Sequence, residues 1–155
     1  MSKKHLLIIA VVGIASMFLA SAIYAGTTVA DVVNMENKAY EKHKKSIVKF
    51  SHNKHNVDYK AGCGECHHDA DNKPLNDLKM GDEVQNCIEC HTKAGRAPRA
   101  KKGEAKLPKK EKMAYHAEAI HLNCISCHKK ANKASGTKAA PTSCAKCHPK
   151  PKGKK

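Results

Sequence analysis

Cys63-Gly64-Glu65-Cys66-His67-His68 is the stretch on which the reading of this chain turns. Two thiols stand three positions apart, and an imidazole follows the second at once. The same Cys-x-x-Cys-His order returns at Cys87-Ile88-Glu89-Cys90-His91, at Cys124-Ile125-Ser126-Cys127-His128 and at Cys144-Ala145-Lys146-Cys147-His148. The four copies use all 8 cysteines of the 155-residue chain. Around them, core-forming residues are scarce: beyond Ala25 only 21 Val, Ile, Leu, Met, Phe and Tyr side chains are present. That is too few to close an apolar interior unaided, which excludes an ordinary enzyme domain held by Leu, Ile and Phe packing. Either the chain is disordered, or something other than side chains fills its middle. Regularly spaced cysteines favour the second.

Cys-x-x-Cys-His is the attachment pattern of c-type haem. Two thiols add to the two vinyl groups of one porphyrin as thioethers, and the next residue, His, reaches the iron from one face. Zinc ribbons also use Cys-x-x-Cys pairs, but they do not need His directly after each second Cys. A redox dithiol does not need four copies. Disulfides are the plain alternative in an exported chain; the fourfold motif speaks against them. Four covalently bound haem c groups are therefore expected, on Cys63 and Cys66, Cys87 and Cys90, Cys124 and Cys127, and Cys144 and Cys147.

Export is expected from residues 1–25. Ser2-Lys3-Lys4 opens a cationic start, an apolar run follows from Leu6 to Ala20, and small residues close it, with cleavage after Ala22 or Ala25. This is the layout of a secretory signal peptide, and the run is short for a retained span. Residues 26–155 would then form one tetrahaem domain outside the cytoplasm.

Histidine numbers test the haem reading. His67, His91, His128 and His148 are the ligands supplied by the motifs. His43, His52, His55, His68, His116 and His121 remain once His5 leaves with the leader. Methionine, the other common sixth ligand, is represented beyond the leader only by Met35, Met80 and Met113, fewer than the haems. Bis-histidine ligation follows, giving low-spin iron with no open position and a low potential. Adjacent side chains cannot reach opposite faces of one iron, so His67 and His68 must serve two haems and bring them close. His52 and His55 tie two more together in the same way. A solvated surface residue is a fair reading of His43 and His116.

The stretch Ile47-Val48-Lys49-Phe50 before His52-Asn53-Lys54-His55, the Cys-x-x-Cys-His-His of the first site and the three further sites in order resemble the class III c-type cytochromes, the tetrahaem cytochrome c3 family. The resemblance runs from about Ile47 to His148. It implies His52 as the far ligand of the first haem, His68 of the second and His55 of the third. The fourth far ligand should lie just before the third motif: His121, with His116 as the alternative. Many members space their second and fourth Cys pairs more widely than this chain does, and Thr92–Glu111 is a long Lys-rich insert. Both features bear on the fourth ligand and leave the haem count intact.

The expected fold is a small, mostly α and irregular multihaem cytochrome, with short helices and a short N-terminal strand region wrapped around four haems. Asp31–Lys45 reads as a short amphipathic helix capped by Asp31, and Ile47–Phe50 as a strand. Leu75–Glu83 reads as loop and turn. Lys109–Leu122 is the best helix candidate, opened by Pro108, with Met113, Ala117, Ile120 and His121 on one face. Lys129–Pro141 reads as a polar connection and Lys150–Lys155 as a mobile basic tail.

Charge is strongly biased. The chain carries +15; Lys3 and Lys4 go with the leader and no acid does, which leaves +13. Four ferric haems with ionised propionates would lower that to roughly +9. Eight of the 14 acids fall between Asp58 and Glu89, whereas Lys129–Lys155 holds nine Lys and no acid. Such asymmetry suits steering towards an acidic redox partner. Few aromatics are available for base stacking, so a nucleic-acid partner is not expected. The reading is a periplasmic low-potential electron carrier, not an enzyme. The resemblance implies exchange with a periplasmic hydrogenase or formate dehydrogenase and with membrane redox complexes or other cytochromes. A terminal reductase of metal ions or oxyanions at an exposed haem is the alternative, and a wiring protein contacting others through the insert is a third.

Overall fold

The computed structural model describes residues 29–150. The expected signal peptide, and the tail beyond Lys150, lie outside the described residues. The chain divides into a unit of Ala30–Lys79 with Val84–Lys155 and a second of Met1–Val29 with Met80–Glu83. Of the second, Val29 and Met80–Glu83 are described; Met80 and Gly81 form a turn. Everything that follows belongs to the first.

Regular structure is sparse. Strand β1 (Val33–Asn34) pairs antiparallel with β2 (Lys49–Phe50), with Val33 opposite Phe50 and Asn34 opposite Lys49. Met35 N donates to Val48 O at 2.9 Å and extends the ladder. The helix expected over Asp31–Lys45 does not form. Its β-branched Val33 instead pairs with Phe50, on the strand led in by Ile47-Val48, and cross-strand pairing wins over a weak helical periodicity. Asp31 caps nothing; its carbonyl accepts from Asn53 N at 3.3 Å. A π-helical turn follows at Lys54–Asp58, and a 3-10 turn at Cys63–Glu65.

Four α-helices complete the unit: α1 (Cys87–Cys90), α2 (Lys109–Met113), α3 (His116–Ser135) and α4 (Cys144–Cys147). The single helix expected over Lys109–Leu122 is broken at Ala114-Tyr115, where Tyr115 is extended (φ −87°, ψ 117°). The insert causes the break. Lys93 lies beside Tyr115 in a parallel bridge: Lys93 N donates to Ala114 O, His116 N to Lys93 O, and Ala117 N to Gly95 O, at 2.9 to 3.0 Å. These bonds satisfy donors at the start of α3 that have no partner inside the helix. At its other end α3 runs well into the stretch expected as a connection. Lys129-Lys130-Ala131 and Lys133-Ala134 are good helix formers, and the helix stops only at Gly136, left-handed at φ 65°.

No apolar side chain is fully buried among the described residues; the one buried residue is polar, His116, at 7% exposure. Loops Asp69–Lys73 and Ala139–Ser143 and the short helices are held by hydrogen bonds, not by a packed centre. A chain with this few internal apolar contacts has no interior of its own.

Candidate functional site

Each Cys-x-x-Cys-His copy is built as one helical turn. The histidine N–H donates to the carbonyl of the first cysteine, His67 to Cys63, His91 to Cys87 and His148 to Cys144, at 2.7 to 2.9 Å; the third copy lies inside α3. One turn brings residues i, i+3 and i+4 to the same side, so two thiols and an imidazole share a face. The first copy is closely covered: a Cβ on Gly64 would meet the Asn76 side chain and lie 3.1 Å from Pro74 Cβ, in the hairpin that returns beneath it, so a larger residue would require Asn76 to shift. The second is capped by Asn86 and Glu89, whose side chains and backbone satisfy one another.

The chain brings eight histidines together in four ring pairs. His52 faces His67 with centroids 6.5 Å apart, His68 faces His91 at 5.9 Å, His55 faces His128 at 6.0 Å, and His121 faces His148 at 6.2 Å. An imidazole centroid lies about 1.1 Å from its ring nitrogen and metal–imidazole bonds are about 2.0 Å, so two imidazoles on opposite faces of one metal stand about 6 Å apart. All four spacings fit a metal between the rings. Among the described residues no three His, Cys, Asp or Glu side chains gather at one point, as a structural zinc site would require.

The outer nitrogens are held to different degrees. His91 Nδ1 donates to the Met113 carbonyl, His128 Nδ1 to Pro141 O (2.6 Å), His148 Nδ1 to Ser46 O (2.7 Å), His55 Nδ1 to Ser51 O (2.8 Å) and His68 Nδ1 to Asp69 O (2.8 Å). A carbonyl can only accept, so each bond keeps the proton on Nδ1 and leaves Nε2 with a lone pair for a metal. His52 Nδ1 and His121 Nδ1 are buried without a partner. Burial, then Arg96 and His148, holds His121 below its ordinary value; the Ala117 carbonyl one turn back opposes this without closing a hydrogen bond. Burial, then His52 and His68, likewise lowers His67. Both imidazoles are thus neutral at neutral pH, the form that binds a metal.

His43 and His116 join no such pair. Tyr40 stacks on His43 at 4.8 Å and shares a 2.9 Å hydrogen bond with His116 Nδ1. The ring that faces His148 is His121, not His116.

No cysteine forms a disulfide. Partial burial, then nearby Cys124, Cys127, Glu65 and Cys87, pushes the Cys66 thiol up to about 11. Burial first, then Cys147, Cys87 and Cys127, also raises Cys124. The thiols of different motifs therefore stand near one another, and the attached groups would lie close together.

Residues 28–148 match the family model described as the class III cytochrome C family. The chain belongs to the class III cytochrome c family. Members are multihaem electron-transfer proteins with covalently bound haem c, electron carriers rather than enzymes. No curated relative matches the chain significantly. In this class III cytochrome, haem fits what the chain offers: paired thiols on one helical face, facing imidazoles at metal-spanning distance, and no apolar interior without a cofactor.

Sequence reasoning missed the residues that orient the rings. Asn132 exchanges two 2.9 Å hydrogen bonds with the backbone of Ala140, fixing the return of the chain so that Pro141 O meets His128. Ser46 Oγ donates to Pro149 O at 2.8 Å while Ser46 O receives His148. Met113 O is open to His91 because Ala117 N, its expected helical partner, goes to Gly95 O. Most of these acceptors are backbone carbonyls, which every residue carries, so composition could not single them out.

Proposed function

We propose that the protein is a periplasmic tetrahaem low-potential electron carrier. Haem c groups sit on Cys63 and Cys66, Cys87 and Cys90, Cys124 and Cys127, and Cys144 and Cys147. Their irons would be held by His67 with His52, His91 with His68, His128 with His55, and His148 with His121. The observation that carries this reading is the set of four imidazole pairs at 5.9 to 6.5 Å. When bound, haem supplies reversible one-electron chemistry between ferric and ferrous iron. The chain's own residues do the rest. The cysteines would fix each haem covalently, the paired histidines would hold its iron, and the carbonyls on Nδ1 hold the ring orientations.

With two imidazoles held ready for each iron, no position would be left for a substrate, which favours a carrier over an inner-sphere reductase of metal ions or oxyanions. The signal-like residues 1–25 support a periplasmic location, and no described helix is long and apolar enough to cross a membrane. The Lys-rich stretches at 93–112 and 129–155 support docking to acidic surfaces on a periplasmic hydrogenase or formate dehydrogenase, and onward transfer to membrane redox complexes or other cytochromes. Pyridine haemochrome analysis of the purified holoprotein should return four haems per chain, and the reduced protein should not bind carbon monoxide. A different count, or rapid carbon monoxide binding, would overturn the reading.

A further inference from the structure

The four imidazole pairs differ in a way the repeated motif does not announce. Both rings of the His68–His91 pair donate Nδ1–H to carbonyls, and so do both rings of His55–His128. His121–His148 has one such bond. His52–His67 has none among the described residues, and its His52 Nδ1 is buried without a partner. The backbone explains the contrast within one short stretch. His55 finds the carbonyl of Ser51 one helical turn back. The equivalent carbonyl for His52 is that of Val48, which lies at the strand and already accepts from Met35 N at 2.9 Å.

An acceptor on Nδ1–H gives the ring imidazolate character and makes Nε2 a stronger donor. A stronger donor favours ferric over ferrous iron and lowers the potential. We propose that these acceptors set the order in which the four sites take up electrons, with the His52–His67 site first and the two doubly bonded pairs last. The inference rests on the four-haem reading. Each imidazole keeps its Nδ1 proton while the iron it holds goes from ferric to ferrous, and an external one-electron donor supplies the electron. Exposed carboxylates around the first two sites would favour ferric iron there too, but they are screened by solvent, whereas the Nδ1 bond acts through the ligand itself.

Ring geometry provides a label for one site. The His55–His128 planes lie 25° apart, while the other three pairs are crossed at 58° to 68°. Near-parallel rings donate into the same iron d orbital and should give a rhombic low-spin resonance distinct from the other three. The test is a stepwise anaerobic dithionite titration of the ¹⁵N-histidine-labelled holoprotein, after its haem count has been taken, followed by NMR and low-temperature electron paramagnetic resonance. The expected result is that the first electron moves the signals of His52 and His67, and that the rhombic resonance persists into the last half of the titration. The His52 Nδ1–H signal should lack a hydrogen-bonded shift. A first electron at any other site, early loss of the rhombic signal, or a hydrogen-bonded His52 Nδ1–H overturns the inference. A haem count other than four overturns the carrier reading and this inference with it; a count of four with a different order overturns this inference alone.

Discussion

The first and third attachment sites carry the same five-residue pattern and are built in opposite ways. Cys124-Ile125-Ser126-Cys127-His128 lies within the 20-residue α3, and the return loop pinned by Asn132 offers His128 a carbonyl. Cys63-Gly64-Glu65-Cys66-His67 occupies a 3-residue 3-10 turn over a hairpin, and His67 receives no carbonyl. One pattern therefore sets two thiols and an imidazole on one turn at both sites, while the backbone around it decides whether the imidazole's outer nitrogen finds a carbonyl. Repetition of a motif does not imply equivalence of the sites.

The largest effect should come from removing the covalent hold at either site. Cys124→Ser with Cys127→Ser should lose about a quarter of the Soret absorbance and, because cofactor binding is folding free energy in such small domains, several kcal/mol of stability. Far-UV circular dichroism should fall sharply as α3 loosens. Cys63→Ser with Cys66→Ser should lose a similar share of absorbance but far less helical signal. Equal loss of helix in the two variants would break the comparison.

Asn132→Ala should cost about 1–2 kcal/mol in urea unfolding, since two hydrogen bonds go. It should also raise the potential of the His55–His128 site, as Pro141 O withdraws from His128, and leave the His52–His67 site unmoved. Tyr40→Phe sharpens a different contrast, between ligand and structural histidines. It should cost about 1 kcal/mol by deleting the bond to His116, without changing the haem count or the low-spin spectra.

Burial, then His91, lowers His116 below its ordinary value of 6.5. The folded chain therefore resists a proton that the unfolded chain accepts. Stability should be intact above pH 6.5 and decline as pH falls through that value towards the lowered one. Urea midpoints measured from pH 7.5 to 5 check the sign. The smallest effect belongs to Glu118, whose carboxyl the 3.0 Å hydrogen bond from Arg96 holds below its ordinary value. Because Arg96 is 60% exposed, Glu118→Gln should cost only a few tenths of a kcal/mol. That contribution is present above the ordinary carboxylate range and lost as pH falls through the lowered value.

The attachment cysteines and the scarcity of core residues were legible because each follows from counting and spacing. The strand at Lys49–Phe50 was also readable from its β-branched lead-in, but its partner was not. Local periodicity places Val33 in a helix because it cannot see a strand that arrives some 15 residues later. Pro108 marks the start of α2, but the single helix that Lys109–Leu122 suggests is two, and the long one begins only at His116. Its break at Tyr115 is imposed by Lys93 and Gly95, and its extension to Ser135 was masked by a run of lysines that reads equally well as a loop. The role of His116 was invisible for the same reason, since its partner Tyr40 lies 76 residues away.

The sequence by itself determined that this chain carries four Cys-x-x-Cys-His motifs and too few large apolar side chains to form an interior, because spacing and composition are local. Only the tertiary structure decided which histidine faces which and which carbonyl each outer nitrogen finds. Those choices depend on backbone groups that all residues share, brought together across as many as 102 positions between Ser46 and His148. The bonds on His55 and His68 are local, whereas those on His91, His128 and His148 exist only once separated segments meet.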